Sequence, residues 1–220
     1  MSRVLVFGDP HIPFQHPDFL PFLKKVKKQY RCDKVMCVGD IVDLHAFAQW
    51  DPNPDGMSPG QELTKASIIL KEWVKAFPNL DICIGNHDAR VYRKAMKYFL
   101  PRAVIKDFNQ TFGTPDTWVW ATSHMHDGVL YRHQVTSGKA APLNACERQR
   151  VPTVFGHIHS GAGVAFSATH KDLLWGMNVG CGLDPKAYAF EYNKEDAYRP
   201  ILGCGVVIDG KQPVFIPMEL

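Results

Sequence analysis

No apolar run in this 220-residue sequence approaches the roughly 20 residues needed to cross a bilayer, so no membrane-spanning helix is expected. Six cysteines occur (Cys32, Cys37, Cys83, Cys146, Cys181 and Cys204), but no Cys-x-x-Cys pair. Several sit in apolar, strand-like runs where a thiol behaves as a small buried hydrophobe, and disulfides are not expected. Charge is nearly balanced: a formal net charge of +3 is too small to argue for nucleic-acid binding by itself. The first nine residues lack the long apolar segment and small-residue cleavage site of a signal peptide, which points to a cytoplasmic protein with reduced thiols. Internal repeats, low-complexity tracts and a clean linker are also missing, and one domain over residues 1–220 is the expectation. At 45% hydrophobic and 21% charged residues, wholesale disorder is excluded and a sizeable core is available.

The apolar patterning predicts alternating strands and helices in the first half. Residues 3–7 read as a buried strand. Phe19, Leu20, Phe22, Leu23 and Val26 then recur at helical spacing opposite a lysine-rich face, and residues 34–38 form a second strand. Residues 44–60 read as a long loop, with Ser58-Pro59 supplying the N-cap and first-turn proline of a helix over about 59–77. A third strand covers 81–84, and a helix follows at about 89–99. From residue 116 shorter β runs take over, at 117–121, 129–133, 151–155, 163–168 and 173–179. One helix interrupts them near 140–150, and a hairpin around Asp209-Gly210 joins 203–208 to 212–216.

The residues able to do chemistry sit where strands end. They are Asp9 and His11, Asp40 and Asp43, Asn86, His87 and Asp88, His133, and finally His157 and His159. In open α/β sheets that carboxyl edge is where ligands bind. His157 and His159, placed after a β-prone run, reach one face together if the backbone stays extended. Carboxylate, amide and imidazole ligands without thiolates suit divalent manganese, iron, nickel, zinc or magnesium. So many such ligands exceed what one ion with an open position needs, and two ions sharing a carboxylate fit better.

The motifs Asp9-Pro10-His11, Gly39-Asp40-Ile41-Val42-Asp43, Gly85-Asn86-His87-Asp88, His133 and Gly156-His157-Ile158-His159 occur in an order that resembles the calcineurin-like metallophosphoesterase superfamily. More loosely, the aromatic segment after Asp43 and the stretch Asn178-Val179-Gly180-Cys181 resemble small phage and prophage phosphoesterases, for which the location would be the host cytoplasm. The resemblance implies a four-layer α-β-β-α sandwich of two mixed β-sheets flanked by helices. It implies one metal on Asp9, His11, Asp40 and His159, and a second on Asp40, Asn86, His133 and His157. It also implies that His87 is the catalytic imidazole, oriented by Asp43. His124 and His126 compete with His133, but His133 closes a β run. The implied reaction is in-line attack of metal-bound hydroxide on phosphorus with no covalent enzyme intermediate, and manganese is the foremost metal.

Arg90, Arg93, Lys94 and Lys97 recur at i, i+3, i+4 and i+7, a basic stripe that fits either a polyanion or a solvated helix face. His45, Phe47 and Trp50 can stack a nucleobase or simply pack the loop. Arg90 and His45 are the candidate substrate-binding residues, and Asp88 reads as the cap of the helix that follows it. The expected substrate is a phosphodiester of a nucleotide or nucleic acid. The alternatives are a phosphomonoester, including a phosphoprotein, or a non-catalytic scaffold. Leu44-His45 stands where protein Ser/Thr phosphatases of this superfamily carry Arg-Gly, which counts against a close relationship to them.

Overall fold

Strand β1 (Arg3–Phe7) sends its side chains alternately to two cores, which fixes the layering of the molecule. Leu5 and Phe7 face a helix-covered core. Val4 and Val6 face a second core, shared with the other sheet. The same alternation recurs in β2 (Lys34–Cys37), where Val35 and Cys37 face the helices and Met36 faces the opposite sheet. The structure is a computed structural model, and it describes residues 1–48, 55–187 and 199–219. Trp50 lies outside the described residues.

The first sheet adds β3 (Leu80–Cys83), β4 (Trp118–Ala121), β10 (Gly203–Ile208) and β11 (Gln212–Pro217), in the order β11-β10-β1-β2-β3-β4. β1 to β4 run parallel, whereas β10 pairs antiparallel with both β1 and β11. The second sheet has the order β5-β6-β7-β9-β8 and is built from β5 (Ser123–His126), β6 (Val129–Arg132), β7 (Thr153–Phe155), β8 (Gly163–Ala168) and β9 (Leu173–Asn178). Its centre, β6-β7-β9, is parallel and its margins are antiparallel. Both sheets are therefore mixed. Tyr131, Val154, Trp175 and Met177 from the second meet Val4, Val6, Met36 and Val38 from the first.

Helices α1 (Phe19–Tyr30) and α2 (Pro59–Ala76) cover the outer face of the first sheet. They bury Phe19, Leu23 and Val26 from one and Ala66, Leu70 and Trp73 from the other. Each such fully buried large side chain contributes roughly 1.5–3 kcal/mol. The start of α2 is fixed by a capping box: the Ser58 hydroxyl accepts from the Gln61 N–H while the Gln61 side chain accepts from the Ser58 N–H. Short helix α3 (Arg90–Lys97) follows β3, and α5 (Ala141–Gln149) packs Ala141 and Ala145 on Phe155 outside the second sheet. The result is the expected α-β-β-α order of layers.

Two elements escape the sequence patterning. Helix α4 (Phe108–Phe112) is only five residues long, although Asp107 caps it through the Gln110 N–H and Gly113 ends it in the left-handed region. β5 reads Ser-His-Met-His and is hidden by its polarity. It forms because the Asp127-Gly128 turn folds it back on β6. All six cysteines are buried and unpaired. No helix among the described residues is long and apolar enough to cross a membrane.

Candidate metal centre

Sheet topology brings the carboxyl ends of β1, β2 and β3 opposite those of β6 and β7, and the loops leaving these five strands make the centre. Asp9 and His11 follow β1, Asp40 and Asp43 follow β2, and Asn86 and His87 follow β3. His133 follows β6, and His157 and His159 follow β7.

Three groups of donor atoms, each within 4.8 Å of one another, form there: Asp9 with His11 and His159, His11 with Asp40 and His87, and Asp40 with His133 and His157. The first and third groups correspond to the two ligand sets implied by the resemblance, with Asp40 in the second of them. Asn86 joins that second set, its Oδ1 lying 2.9 Å from His133 Nε2. His87 approaches Asp40, with Nε2 3.9 Å from Oδ2, but its ring is already engaged at both nitrogens. His124 turns instead to the Ile82 carbonyl, 3.1 Å away, and His126 sits by Ser2 and Asp127.

The hydrogen bonds test whether a cation suits these donors. His133 Nδ1 lies 2.9 Å from the Val38 carbonyl, an acceptor only, so Nδ1 carries the hydrogen. Nε2 faces Asp40 Oδ2 at 3.2 Å and Asn86 Oδ1 at 2.9 Å, so it holds a second proton between them until a cation takes that proton's place and receives the Nε2 lone pair. Three electron-rich atoms converge on one point. In the same way His11 Nδ1 donates to Asp43 Oδ1 at 2.7 Å, which turns Nε2 toward His159 Nε2 at 3.3 Å. Converging lone pairs, with the far nitrogens anchored by a carbonyl and a carboxylate, are the pattern of metal-ligating histidines. The residues fit divalent cations.

The electrostatics follow from burial and these contacts. Burial pushes the Asp40 carboxyl up, but the nearby His133 and His87 more than offset it and hold it well below the usual range. Asp9 is lowered as well, since the His159 hydrogen bond and the neighbouring imidazoles outweigh its burial. Asp43 is held down by hydrogen bonds from His11 and His87 despite complete burial. Burial lowers His133, yet Asp40 pulls it up to about 10. His87 is raised, because Asp40 and Asp43 outweigh its burial, whereas burial lowers His11 and His157.

Two motif glycines have a direct steric cause. A Cβ on Gly85 would collide with the Asp40 carboxylate and backbone, and one on Gly156 would collide with the Asp9 carboxylate. Both acids sit where only bare backbone fits, and each receives N–H groups there: Asp9 from His157, and Asp40 from His87 at 2.7 Å. Asp9, His11, Asp40 and His157 all hold positive φ of 49–71°, a sparsely populated region for side chains with a Cβ. His157 at φ 71° shows that the His-x-His run is not extended. The two imidazoles go to different groups instead of one shared face, which corrects the expectation drawn from strand geometry.

Asp88 also departs from expectation. It does not cap α3, whose N-cap is Ala89 with no side-chain cap bond. Its buried carboxylate accepts from the N–H groups of Asp40 at 2.8 Å, Val42 at 3.1 Å and Gly85 at 2.8 Å, and so ties the β2 and β3 loops together. Glu62 on α2 does the same for the turn after Asp43, accepting from His45 and Ala46. Asn178 pins the His157–His159 loop through the carbonyls of Ile158 and Gly161. The available signal for Glu62 was its place in helical step with the apolar Ala66, Leu70 and Trp73 on the buried face of α2.

Asp43 Oδ1 lies 2.8 Å from His87 Nδ1 while it also holds His11. Arg90 donates to the Asp43 carbonyl at 2.8 Å and places Nη2 3.2 Å from His87 Nε2. His45 stands at the edge of this group, Nδ1 4.0 Å from Asp43 Oδ2.

The chain belongs to the calcineurin-like phosphoesterase family, whose sequence profile matches residues 2–161. It is similar to a metallophosphoesterase from Sphaerobacter thermophilus, at 15% identity and a TM-score of 0.47 over 99% of this chain and 89% of that one. It is likewise similar to the phosphoesterase YfcE from E. coli, at 11% identity and a TM-score of 0.43 over 94% and 88%. Vps29 from Chaetomium thermophilum compares at 13% identity and a TM-score of 0.45 over 94% and 84%. No curated protein sequence matches the chain.

Proposed function

We propose that this single-domain chain is a dinuclear-metal phosphodiesterase acting on a nucleotide or nucleic acid. The observation that carries the reading is the set of donor groups meeting around Asp40, with an oriented imidazole beside them. Asp9, His11, Asp40 and His159 would hold one cation and Asp40, Asn86, His133 and His157 the other, with manganese the foremost candidate. When bound, two such cations polarise a phosphoryl oxygen and make a water nucleophile available near neutral pH.

The protein's own residues supply the remaining work. Asp43 takes the Nδ1–H of His87, so Nε2 is the atom that delivers a proton to the leaving oxygen. Although burial works against its charge, hydrogen bonds from His11 and His87 hold Asp43 ionised, and that fixes the tautomer, because an ionised carboxylate accepts and does not donate. The Arg90 guanidinium stands beside the same Nε2, where an anionic phosphate oxygen would arrive, and it offers the planar fork that suits phosphate. His45 borders the same space. The diester preference draws on the cations that continue from Arg90 along α3 and on the aromatic segment after Asp43, while Leu44-His45 counts only against a close relationship to protein phosphatases.

The test compares turnover of a chromogenic phosphodiester and its matching monoester after chelator stripping and addition of Mn²⁺, Ni²⁺, Zn²⁺ or Mg²⁺. Faster diester cleavage is expected. Faster monoester cleavage would replace the reading with a phosphatase, and no turnover on protein carrying two ions would replace it with a scaffold.

A further inference from the structure

Half of the eight residues of α3 are cations, and its first turn contains no acid. Like charges three and four residues apart repel, so such a helix is unfavourable unless something neutralises it. Arg90 is committed to Asp43 and His87. Arg93 donates to the Asn86 carbonyl at 2.5 Å. Among the described residues no carboxylate lies within ion-pair distance of Arg93, Lys94 or Lys97.

These cations do not scatter around a solvated face. All four line one open groove of about 760 Å³, which begins at Asn86 beside the metal centre and has Phe47 and Tyr98 on its walls. From Arg90 to Lys97 the helix rises about 10 Å at 1.5 Å per residue. That length is enough for the row to face more than one phosphate of an extended strand. A row of cations with aromatic faces alongside is the arrangement that tracks a single-stranded backbone and stacks its bases without reading sequence. The exposed Met96 and Phe99 lie on the same segment but do not line the groove, which favours a polyanion over a lipid surface.

We infer that this groove is a subsite for single-stranded polynucleotide flanking the scissile phosphodiester, with Arg93, Lys94 and Lys97 pairing successive backbone phosphates. The inference rests on the phosphodiesterase reading for its link to the reaction, and the groove itself is tested by binding. The experiment measures fluorescence anisotropy of a labelled 12-nucleotide oligothymidylate on the full chain in chelator, across a salt series. Wild type is compared with Lys94→Gln/Lys97→Gln and with Arg93→Gln. The double variant should bind about tenfold or more weakly, and its slope of log affinity against log salt should flatten by about 1.4, or 0.7 for each lost contact. Its turnover of a small chromogenic diester should match wild type, because neither lysine touches the centre. Unchanged oligonucleotide affinity and salt slope in both variants would overturn the subsite, as would wild-type binding to anionic vesicles without binding to the oligonucleotide. Absent diester turnover in wild type would sink the catalytic reading alone and leave the anisotropy result to decide the groove.

Discussion

Asp43 offers one oxygen, Oδ1, to two imidazoles: His11 at 2.7 Å and His87 at 2.8 Å. One of these is a proposed ligand and the other the proposed proton donor, so a single carboxylate orients both halves of the chemistry. Removing His87 and removing Asp43 should therefore give different signatures. His87→Ala should keep two ions per chain while turnover falls by about 10²–10⁴, the usual contribution of a general acid. Asp43→Ala should lose turnover and also weaken the ion on the Asp9 side by about 10–100-fold, as the loss of a group behind a ligand does. Metal counting by elemental analysis alongside kinetics separates the two, and equal metal content in both variants would contradict the shared role. His133 carries a pH prediction. In chelator-stripped protein Asp40 holds this imidazole up to about 10 against its burial, so at pH 7 it bears a proton that an incoming cation must displace. Binding is thus tighter at higher pH, by up to about tenfold per unit from this group. Calorimetry between pH 6 and 8 in buffers of different protonation enthalpy should count that released proton, and His133→Asn should abolish it.

The loops that carry these residues are elements in their own right, held by buried acids that bind backbone. Asp88 collects three N–H groups from the β2 and β3 loops, where burial and the nearby Asp40 push its carboxyl up to about 7. Asp88→Ala would leave three buried donors without an acceptor, at about 1–3 kcal/mol for each group that water cannot reach. We expect denaturation of chelator-stripped Asp88→Ala to show a loss of about 2–4 kcal/mol, together with weaker metal binding at both positions. A variant as stable as wild type would show that the loops hold themselves. This element also marks the limit of what sequence reveals. The ligand motifs were legible because each sets its donors within a few residues of the glycine that follows a strand, although the contacts behind two of those glycines, Gly85 on Asp40 and Gly156 on Asp9, are distant in the chain. Asp88 was not, because its partners at 40 and 42 are distant in the chain, and an acid before a helix is usually a cap. The His157 backbone misled for a related reason. Alternation assumes an extended chain, and the left-handed turn arises only where Gly156 packs on Asp9, beyond the end of β7. β5 and α4 were missed because four polar-rich residues and five helical ones are too short for periodicity to register.

At the scale of the molecule, the centre lies across the seam between the two sheets. Asp9, His11, Asp40 and Asn86 descend from the first sheet, and His133, His157 and His159 from the second. Between the sheets themselves the contact is apolar, from Val4, Val6 and Met36 to Tyr131, Trp175 and Met177, and it ends at Val38 and Val179 at the base of the loops. Cations held by both sets would pin the layers at that edge, so metal should stabilise the whole fold and not merely the loops. A ligand present at 100 times its Kd stabilises by about 2.7 kcal/mol, which in a chain of this size raises Tm by about 5–10 °C. Chelator-stripped protein should show that rise on adding Mn²⁺, dependent on concentration. His87→Ala should retain the rise, since His87 holds no ion in the proposed assignment. His159→Ala should lose much of it, because the first ion would then be anchored to the first sheet alone. Hydrogen exchange locates the effect: protection gained on metal addition should extend into β6 and β7 as well as β1 and β2. Gains confined to the first sheet would mean that the histidines of the second do not hold the metal, and the two-sheet assignment would fail.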